Sequence, residues 1–269
     1  MTLAMSSRVR LDAELVRRGL ARSREQAAEL ISGGRVAVAG LTAGKPATQV
    51  TRDVPITVSE NSGPGYVSRG GHKLAGALKA FGAVAVAGRR CLDAGASTGG
   101  FTDVLLRAGA GHVVAVDVGY GQLAWALRND PRVTVLERVN VRDLRPGQVA
   151  PPPGLVVADL SFISLAIPLP ALARCAAADA DFVLLVKPQF EVGKGRVGPG
   201  GVVRDPRLRA EAVAGVAAAA AAHGLGVAGV TASPLPGPAG NVEYFLWLRR
   251  GAPPLDRSDL DQAIASGPQ

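Results

Sequence analysis

Arg90-Cys91-Leu92-Asp93-Ala94-Gly95-Ala96-Ser97-Thr98-Gly99-Gly100-Phe101 decides how the rest of the chain is read. A short apolar run closes on a glycine-rich turn, and the turn opens a helix. Backbone in such a turn can approach a bound group closely, and the helix N–H groups can face its anionic end. Asp117, 22 residues beyond Gly95, ends the next apolar run, where a carboxylate can accept hydrogen bonds from ribose hydroxyls. Working outward, strand signals fall near 90–94, 112–118, 133–137, 155–160, 182–188, 226–233 and 242–249. Helix signals fall near 99–109, 121–128, 164–178 and 204–223. Alternation of this kind predicts an α/β domain with a mostly parallel, doubly wound sheet of about seven strands.

In a sheet wound this way, ligands bind outside the carboxyl ends of the strands. Asp159 closes Leu155-Val156-Val157-Ala158, Lys187 closes Phe182-Val183-Leu184-Leu185-Val186, and Glu243 opens Tyr244-Phe245-Leu246-Trp247-Leu248. Lys73 lies on a predicted helix just before the first strand. The four charges are therefore expected in one cleft, although strand ends carry charges for reasons of solvation as well.

At 48% hydrophobic and 19% charged residues, the chain can bury a large core, which fits one large domain and one small one. Two cysteines, Cys91 and Cys175, and three histidines form no disulfide framework and no metal-ligand spacing, so no metal is expected and a reducing cytoplasm fits. Met1 to Arg10 lacks the apolar core of a secretion signal. Ala212 to Ala222 spans 11 residues and is interrupted only by Gly215, against roughly 20 needed to cross a bilayer. It reads as a buried alanine-rich helix, and stable membrane insertion is not expected. The formal charge of +8 is uneven: residues 1–82 hold 12 Lys/Arg against 6 Asp/Glu, and the remainder 18 against 16. A basic front end on a nearly neutral body points to a polyanion-binding module.

That front end begins Arg8-Val9-Arg10-Leu11-Asp12-Ala13-Glu14-Leu15-Val16-Arg17-Arg18-Gly19, with helical spacing of apolar residues and glycine as a stop. Ser23 is placed to cap a second helix, Arg24 to Ser32, which ends at Gly33-Gly34. Short strands follow at Arg35 to Gly40 and Val54 to Val58. This order of Arg-Leu-Asp, Ser-Arg and Gly-Arg-Val-x-Val-x-Gly resembles the small αL RNA-binding fold first seen in a small-subunit ribosomal protein. The resemblance implies RNA contacts through Arg8, Arg10, Arg17, Arg22, Arg24 and Arg35, with Arg69 added from the segment that follows. The expected domains are 1–60 for the αL module, 61–70 for a Gly/Pro-rich linker and 71–269 for the large domain.

Ser97 occupies the place of the middle glycine in the dinucleotide pattern, which leaves nicotinamide binding as the second choice. Asp-x-Gly-x-x-x-Gly-Gly-Phe followed by a ribose acid instead resembles the S-adenosylmethionine site of class I methyltransferases. The implied fold is a class I, Rossmann-like seven-stranded sheet. The implied cofactor contacts are Gly95, Ala96, Ser97, Thr98, Gly99, Gly100, Phe101, Asp117, Val118, Asn140, Val141 and Asp159, with Asn140 near the adenine. Asp159-Leu160-Ser161-Phe162 is not the Asn/Asp-Pro-Pro-aromatic tetrad of amino methylation, and neither cysteine is placed as a nucleophile for cytosine carbon.

Lys73, Asp159, Lys187 and Glu243 resemble the catalytic tetrad of FtsJ-type RNA 2′-O-methyltransferases. With the αL module, the segments Ser68–Lys73, Asp117–Leu123, Asp159–Ser164, Lys187–Glu191 and Asn241–Glu243 resemble the TlyA family over residues 8–250. Some members have Arg-x-Trp-Val in the linker, where this chain has Pro64-Gly65-Tyr66-Val67. The resemblance implies S-adenosylmethionine-dependent 2′-O-methylation of cytidine in 16S or 23S rRNA within ribosomal subunits, in the cytoplasm. Lys187 is then the expected acceptor of the hydroxyl proton. A noncatalytic rRNA-binding assembly factor would account for the front module alone, and a pore-forming hemolysin for none of the motifs.

Overall fold

The computed structural model describes residues 8–32, 34–58 and 65–268. Readings that fall on residues 1–7, on the glycine at 33 and on the linker residues 61–64 lie outside these. The chain divides into two compact units, Met1–Arg69 and Gly70–Gln269.

In the first unit, β1 (Val9–Arg10) runs straight into α1 (Leu11–Arg17). Then come α2 (Arg24–Ser32), β2 (Val36–Val38), β3 (Leu41–Thr42), β4 (Gln49–Val50) and β5 (Ile56–Val58). The helical reading from Arg8 onward is corrected here: Val9 and Arg10 pair antiparallel with Val50 and Gln49, a long-range partnership that local spacing does not reveal. The bounds of α2 follow their local signals. Gln26 N–H donates to Ser23 Oγ at 3.2 Å, and Gln26 Oε1 accepts from Arg22 N–H at 2.6 Å, so two otherwise unpaired donors at the helix start are satisfied. Leu11, Leu15, Ala27, Ile31 and Val36 form the buried centre of this unit.

Helix α3 (Arg69–Phe81) begins at the boundary of the two units, with Arg69 and Gly70 in its first turn, and the rest of it belongs to the second unit. Its elements continue as β6 (Arg90–Ala94), α4 (Gly100–Arg107), β7 (His112–Asp117), α5 (Trp125–Arg128), β8 (Val133–Glu137), α6 (Pro146–Val149) and β9 (Leu155–Ala158). They end as α7 (Leu169–Cys175), β10 (Asp181–Val186), α8 (Pro188–Glu191), α9 (Pro206–Ala221), β11 (Leu225–Ala232), β12 (Tyr244–Arg250) and α10 (Arg257–Ala265). One seven-stranded sheet has the order β11-β12-β10-β9-β6-β7-β8. Only β12 runs against its neighbours, pairing antiparallel with β10 and β11.

Strands covered on both faces read as continuous apolar runs, and β9 and β10 are buried along their whole length. The chain moves from β6 outward through β7 to β8, then returns to place β9 on the other side of β6. That reversal opens a crevice beyond the carboxyl ends of β6 and β9. Helix signals near 121–128 and 164–178 shrink to α5 and α7, which leaves long loops on this rim. Helix α9, read from sequence as a buried alanine-rich helix, is buried along one face, through Ala212, Val213, Val216, Ala217 and Ala220.

Candidate active site

The turn after β6 is built by close approach. A Cβ on Gly95 would lie 2.5 Å from the Asp159 carbonyl oxygen, so the ends of β6 and β9 touch only because glycine is there. Ser97 takes a left-handed backbone conformation, φ +48°, so a serine adopts at this turn a shape that favours glycine. Asp117 fixes it. Its Oδ2 accepts from Ser97 N–H at 2.8 Å and its Oδ1 from Gly119 N–H at 2.7 Å. A carboxylate has about four lone-pair sites, so each oxygen keeps room for one more donor, such as a ribose hydroxyl. Ala96, Ser97, Asp117, Gly119, Gln122, Leu123 and Glu137 line a small cleft at this point.

The other expected contacts divide. Gly99, with φ +100°, precedes α4, while Thr98 and Val118 are exposed on the rim. Phe101 is buried and its ring lies 6.1 Å from that of Phe245, which makes its side chain part of the core. Asn140 caps the 3-10 turn Val141–Asp143, accepting from Arg142 N–H at 3.2 Å; neither it nor buried Val141 lines the cleft.

Beneath the turn lies Asp93, which the spacing of charges at strand ends did not single out. It is fully buried; Thr102 Oγ donates to its Oδ2 at 2.6 Å, and Oδ1 has no hydrogen-bond partner. Burial pushes this carboxyl up to about 7; the Thr102 bond opposes the shift and the Asp159 carboxylate adds to it. An acid inside an apolar strand was the available signal.

The four expected catalytic charges stand as two pairs. Lys73 on α3 donates to Glu243 Oε2 at 2.5 Å, with both side chains buried. Glu243 Oε1 has no hydrogen-bond partner. The position of α3 depends on Gly76, since a Cβ there would lie 2.6 Å from the Pro234 ring. Lys187 Nζ lies 2.6 Å from Asp159 Oδ1, as an ion pair without hydrogen-bond alignment, and donates to Ser161 Oγ at 2.8 Å. The β10–β12 ladder ends at Val186 and Tyr244, so the next residues outward, Lys187 and Glu243, leave adjacent strands at the same end of the sheet. Ser161 escaped the sequence reading because its role depends on the strand beyond it.

The loops that carry these groups are tied together. Glu191 on α8 accepts from Ser164 Oγ at 2.6 Å and from Leu165 N–H at 2.9 Å, joining the segment after Lys187 to the segment after Asp159. Burial raises the Glu191 carboxyl above its ordinary range, and the two bonds it accepts oppose the shift. Across the same junction the Phe162 and Phe190 rings lie 5.2 Å apart. Phe162 is 90% exposed and sits at φ +67°, a conformation bulky residues rarely take.

Residues 66–250 match the FtsJ-like methyltransferase family, and residues 9–56 match the S4 domain. The 16S/23S rRNA (cytidine-2'-O)-methyltransferase TlyA of Mycobacterium tuberculosis is 69% identical over 245 residues, 91% of each chain. This chain belongs to the TlyA family of FtsJ-like methyltransferases. YqxC of Bacillus subtilis, named as a candidate rRNA methyltransferase, is 45% identical over 90% of this chain and 86% of its own. A solved structure from Streptococcus thermophilus, named as a candidate hemolysin, is 37% identical with a TM-score of 0.75, covering 97% of this chain and 95% of that one. No helix among the described residues is long and apolar enough to cross a membrane.

In the S4 domain the expected RNA-binding arginines are not simply solvated charges. Arg8, Arg22 and Arg35 are exposed, and Arg69 is half-buried. Arg10 and Arg24 both pair with buried Asp12, while Arg17 and Arg18 pair with buried Glu14. Arg18 also donates to the carbonyls of Val54 and Arg52 at 2.8 Å, which makes it a brace between α1 and the segment before β5.

Proposed function

We propose that this TlyA-family methyltransferase moves a methyl group from S-adenosylmethionine to the 2′-hydroxyl of a cytidine ribose in 16S or 23S rRNA, acting on ribosomal subunits in the cytoplasm. The observation that carries this reading is the meeting of Lys187 with Asp159 and Ser161, and of Lys73 with Glu243, on the carboxyl rim that also holds the Gly95–Gly99 turn. The 69% identity to a 16S/23S rRNA (cytidine-2'-O)-methyltransferase supports the choice of substrate.

The residues present fit the cofactor. Asp117 has lone pairs left for two ribose hydroxyls, and the glycine turn brings backbone close to the end of β9. The cofactor's sulfonium supplies a methyl that is already electrophilic, so the protein's part is to align the hydroxyl and receive its proton. Lys187 is placed to receive the hydroxyl proton, and the cofactor would supply the methyl group. Asp159 and Ser161 hold the Lys187 nitrogen in place, and the buried Lys73–Glu243 pair forms the adjoining wall. Phe162, braced on Phe190, offers an open aromatic face for a base turned out of its stack.

The test is methylation of purified 30S and 50S subunits with isotope-labelled cofactor, followed by nucleoside mass spectrometry. Labelled 2′-O-methylcytidine is the expected product. Label on a base, or no transfer to either subunit, overturns the assignment.

A further inference from the structure

We infer that Asp12 assembles a phosphate-binding fork from Arg10 and Arg24, holding two guanidinium groups in place for the backbone of structured RNA. The inference rests on the reading that the S4 domain makes the RNA contact, and it assigns that contact to a built arrangement instead of diffuse charge.

Three elements meet at Asp12, in the first turn of α1. Arg10, at the end of β1, donates through Nε to Asp12 Oδ1 at 3.0 Å and through Nη2 to Oδ2 at 2.8 Å. Arg24, at the start of α2, donates through Nη2 to the same Oδ2 at 3.0 Å. The Ala13 N–H completes the set, donating to Oδ1 at 2.8 Å. The carboxylate is inside and the cations are outside: side-chain exposure is 6% for Asp12, 46% for Arg10 and 58% for Arg24.

A guanidinium has five N–H donors. Arg10 spends two on Asp12 and Arg24 one, so each keeps a planar set of outward donors that matches the oxygens of a phosphate. Because both arginines rest on one oxygen, their heads sit side by side. Freely moving arginines would lose side-chain entropy when they bound RNA; here the buried acid has already restricted them. The hydrogen bond from Arg10, more than any other influence, holds the Asp12 carboxyl far below its usual range, so it remains an anion. Glu14 marks the contrast, because Arg18, one of its two partners, is committed to backbone carbonyls within the domain.

The fork makes a prediction opposite in sign to that from net charge. Replacing an acid on a basic face should tighten RNA binding if charge alone matters. If Asp12 positions the arginines, Asp12→Asn weakens it about tenfold, the cost of ordering long side chains that are no longer held. Binding of the full chain to purified 30S and 50S subunits, measured across a salt series without cofactor, separates the cases. Arg10→Ala and Arg24→Ala each lower affinity and reduce the salt slope by about one phosphate contact. Arg24→Lys keeps the charge but loses the planar donors, and it also binds more weakly.

Unchanged affinity and slope in both alanine variants would mean that the S4 reading itself is wrong. Losses in the alanine variants, with Asp12→Asn binding as well as the parent or better, would leave the RNA face standing and remove the fork. Amide spectra establish that Asp12→Asn is folded; if it is not, Arg24→Lys decides, and parental affinity there overturns the proposal.

Discussion

Replacing Lys73 with methionine leaves the Glu243 carboxylate buried with nothing to balance it. The residues have side-chain exposures of 8% and 1%, Lys73 Nζ lies 2.5 Å from Oε2, and Oε1 has no hydrogen-bond partner to share the charge. Breaking one side of a buried pair costs about 3–5 kcal/mol, because the remaining charge loses its partner without regaining water. For a unit of this size that corresponds to a fall of roughly 10 °C in midpoint temperature. Both tryptophans, Trp125 and Trp247, lie in the methyltransferase unit, and Trp247 is nearly buried, so fluorescence during urea unfolding follows this unit selectively. The double variant Lys73→Met with Glu243→Gln removes the stranded charge and should recover most of the lost stability without recovering methyl transfer. A loss below about 1 kcal/mol in Lys73→Met alone would place the pair in the weak class of solvated surface bridges and refute its role as a buried wall of the site.

Three further outcomes follow from the same contacts. Lys187→Ala should bind cofactor and subunits normally yet lose about a hundredfold or more in single-turnover rate, and Lys187→Arg should fail with it because guanidinium does not accept a proton; a near-normal rate in the arginine variant would leave Lys187 a positioning role only. Glu191→Ala, which frees the loops carrying Phe162 and Lys187, should lower the methylation rate about tenfold or more at unchanged cofactor affinity, with Glu191→Gln close to the parent since an amide can accept from Leu165 N–H and donate to Ser164; equal rates in both variants would show that the tie does not position the site. In the S4 domain, hydrogen bonds from Arg10 and Arg17 hold Asp12 and Glu14 below their ordinary range, Glu14 at about 2, so the stability they contribute is complete above about pH 5 and lost as pH falls toward 2; NMR amide signals of Leu15 and Ile31 should report that loss, and it should shrink in Glu14→Gln.

Much of the sheet was legible because its strands are buried on both faces, so Leu155–Ala158 and Phe182–Val186 announce themselves as unbroken apolar runs. The turn at Gly95 was legible for a related reason, since the close passage of the Asp159 carbonyl demands glycine. What the sequence concealed depends on partners distant along the chain. Val9–Arg10 looks helical until β4 is beside it, and Ser161 is a polar loop residue until β10 brings Lys187 to its hydroxyl. The helix α10 went unread, although Asp256 caps it by accepting from Ser258 N–H at 2.8 Å and Asp259 N–H at 3.1 Å. Its apolar stripe is short, with Leu260 and Ala263 as the buried positions. Charges at the strand ends were expected in one cleft, and Lys187 and Glu243 leave adjacent strands at the same end of the sheet. Their division into Lys73–Glu243 and Lys187–Asp159 pairs follows from which strands are neighbours, and spacing along the chain does not contain that.

Backbone strain gives an independent mark of the same rim. Among the described residues, the non-glycine positions with positive φ are Ala39, Ser97, Arg138 and Phe162, and the last three all lie beyond the carboxyl ends of β6, β8 and β9. Left-handed backbone at such residues costs about 1–3 kcal/mol each and persists only where surrounding contacts over-determine it. Those contacts are present. Ser97 is held through its N–H on Asp117; Arg138 donates its N–H to the Gly119 carbonyl at 3.1 Å and lies 4.4 Å over the Tyr120 ring; Phe162 rests against Phe190. Relaxing Phe162 to an ordinary conformation would give up that ring contact. The strain coincides with the glycine turn, with Asp117 and with the lysine pairs, and neither the sheet nor its core requires a phenylalanine in that conformation.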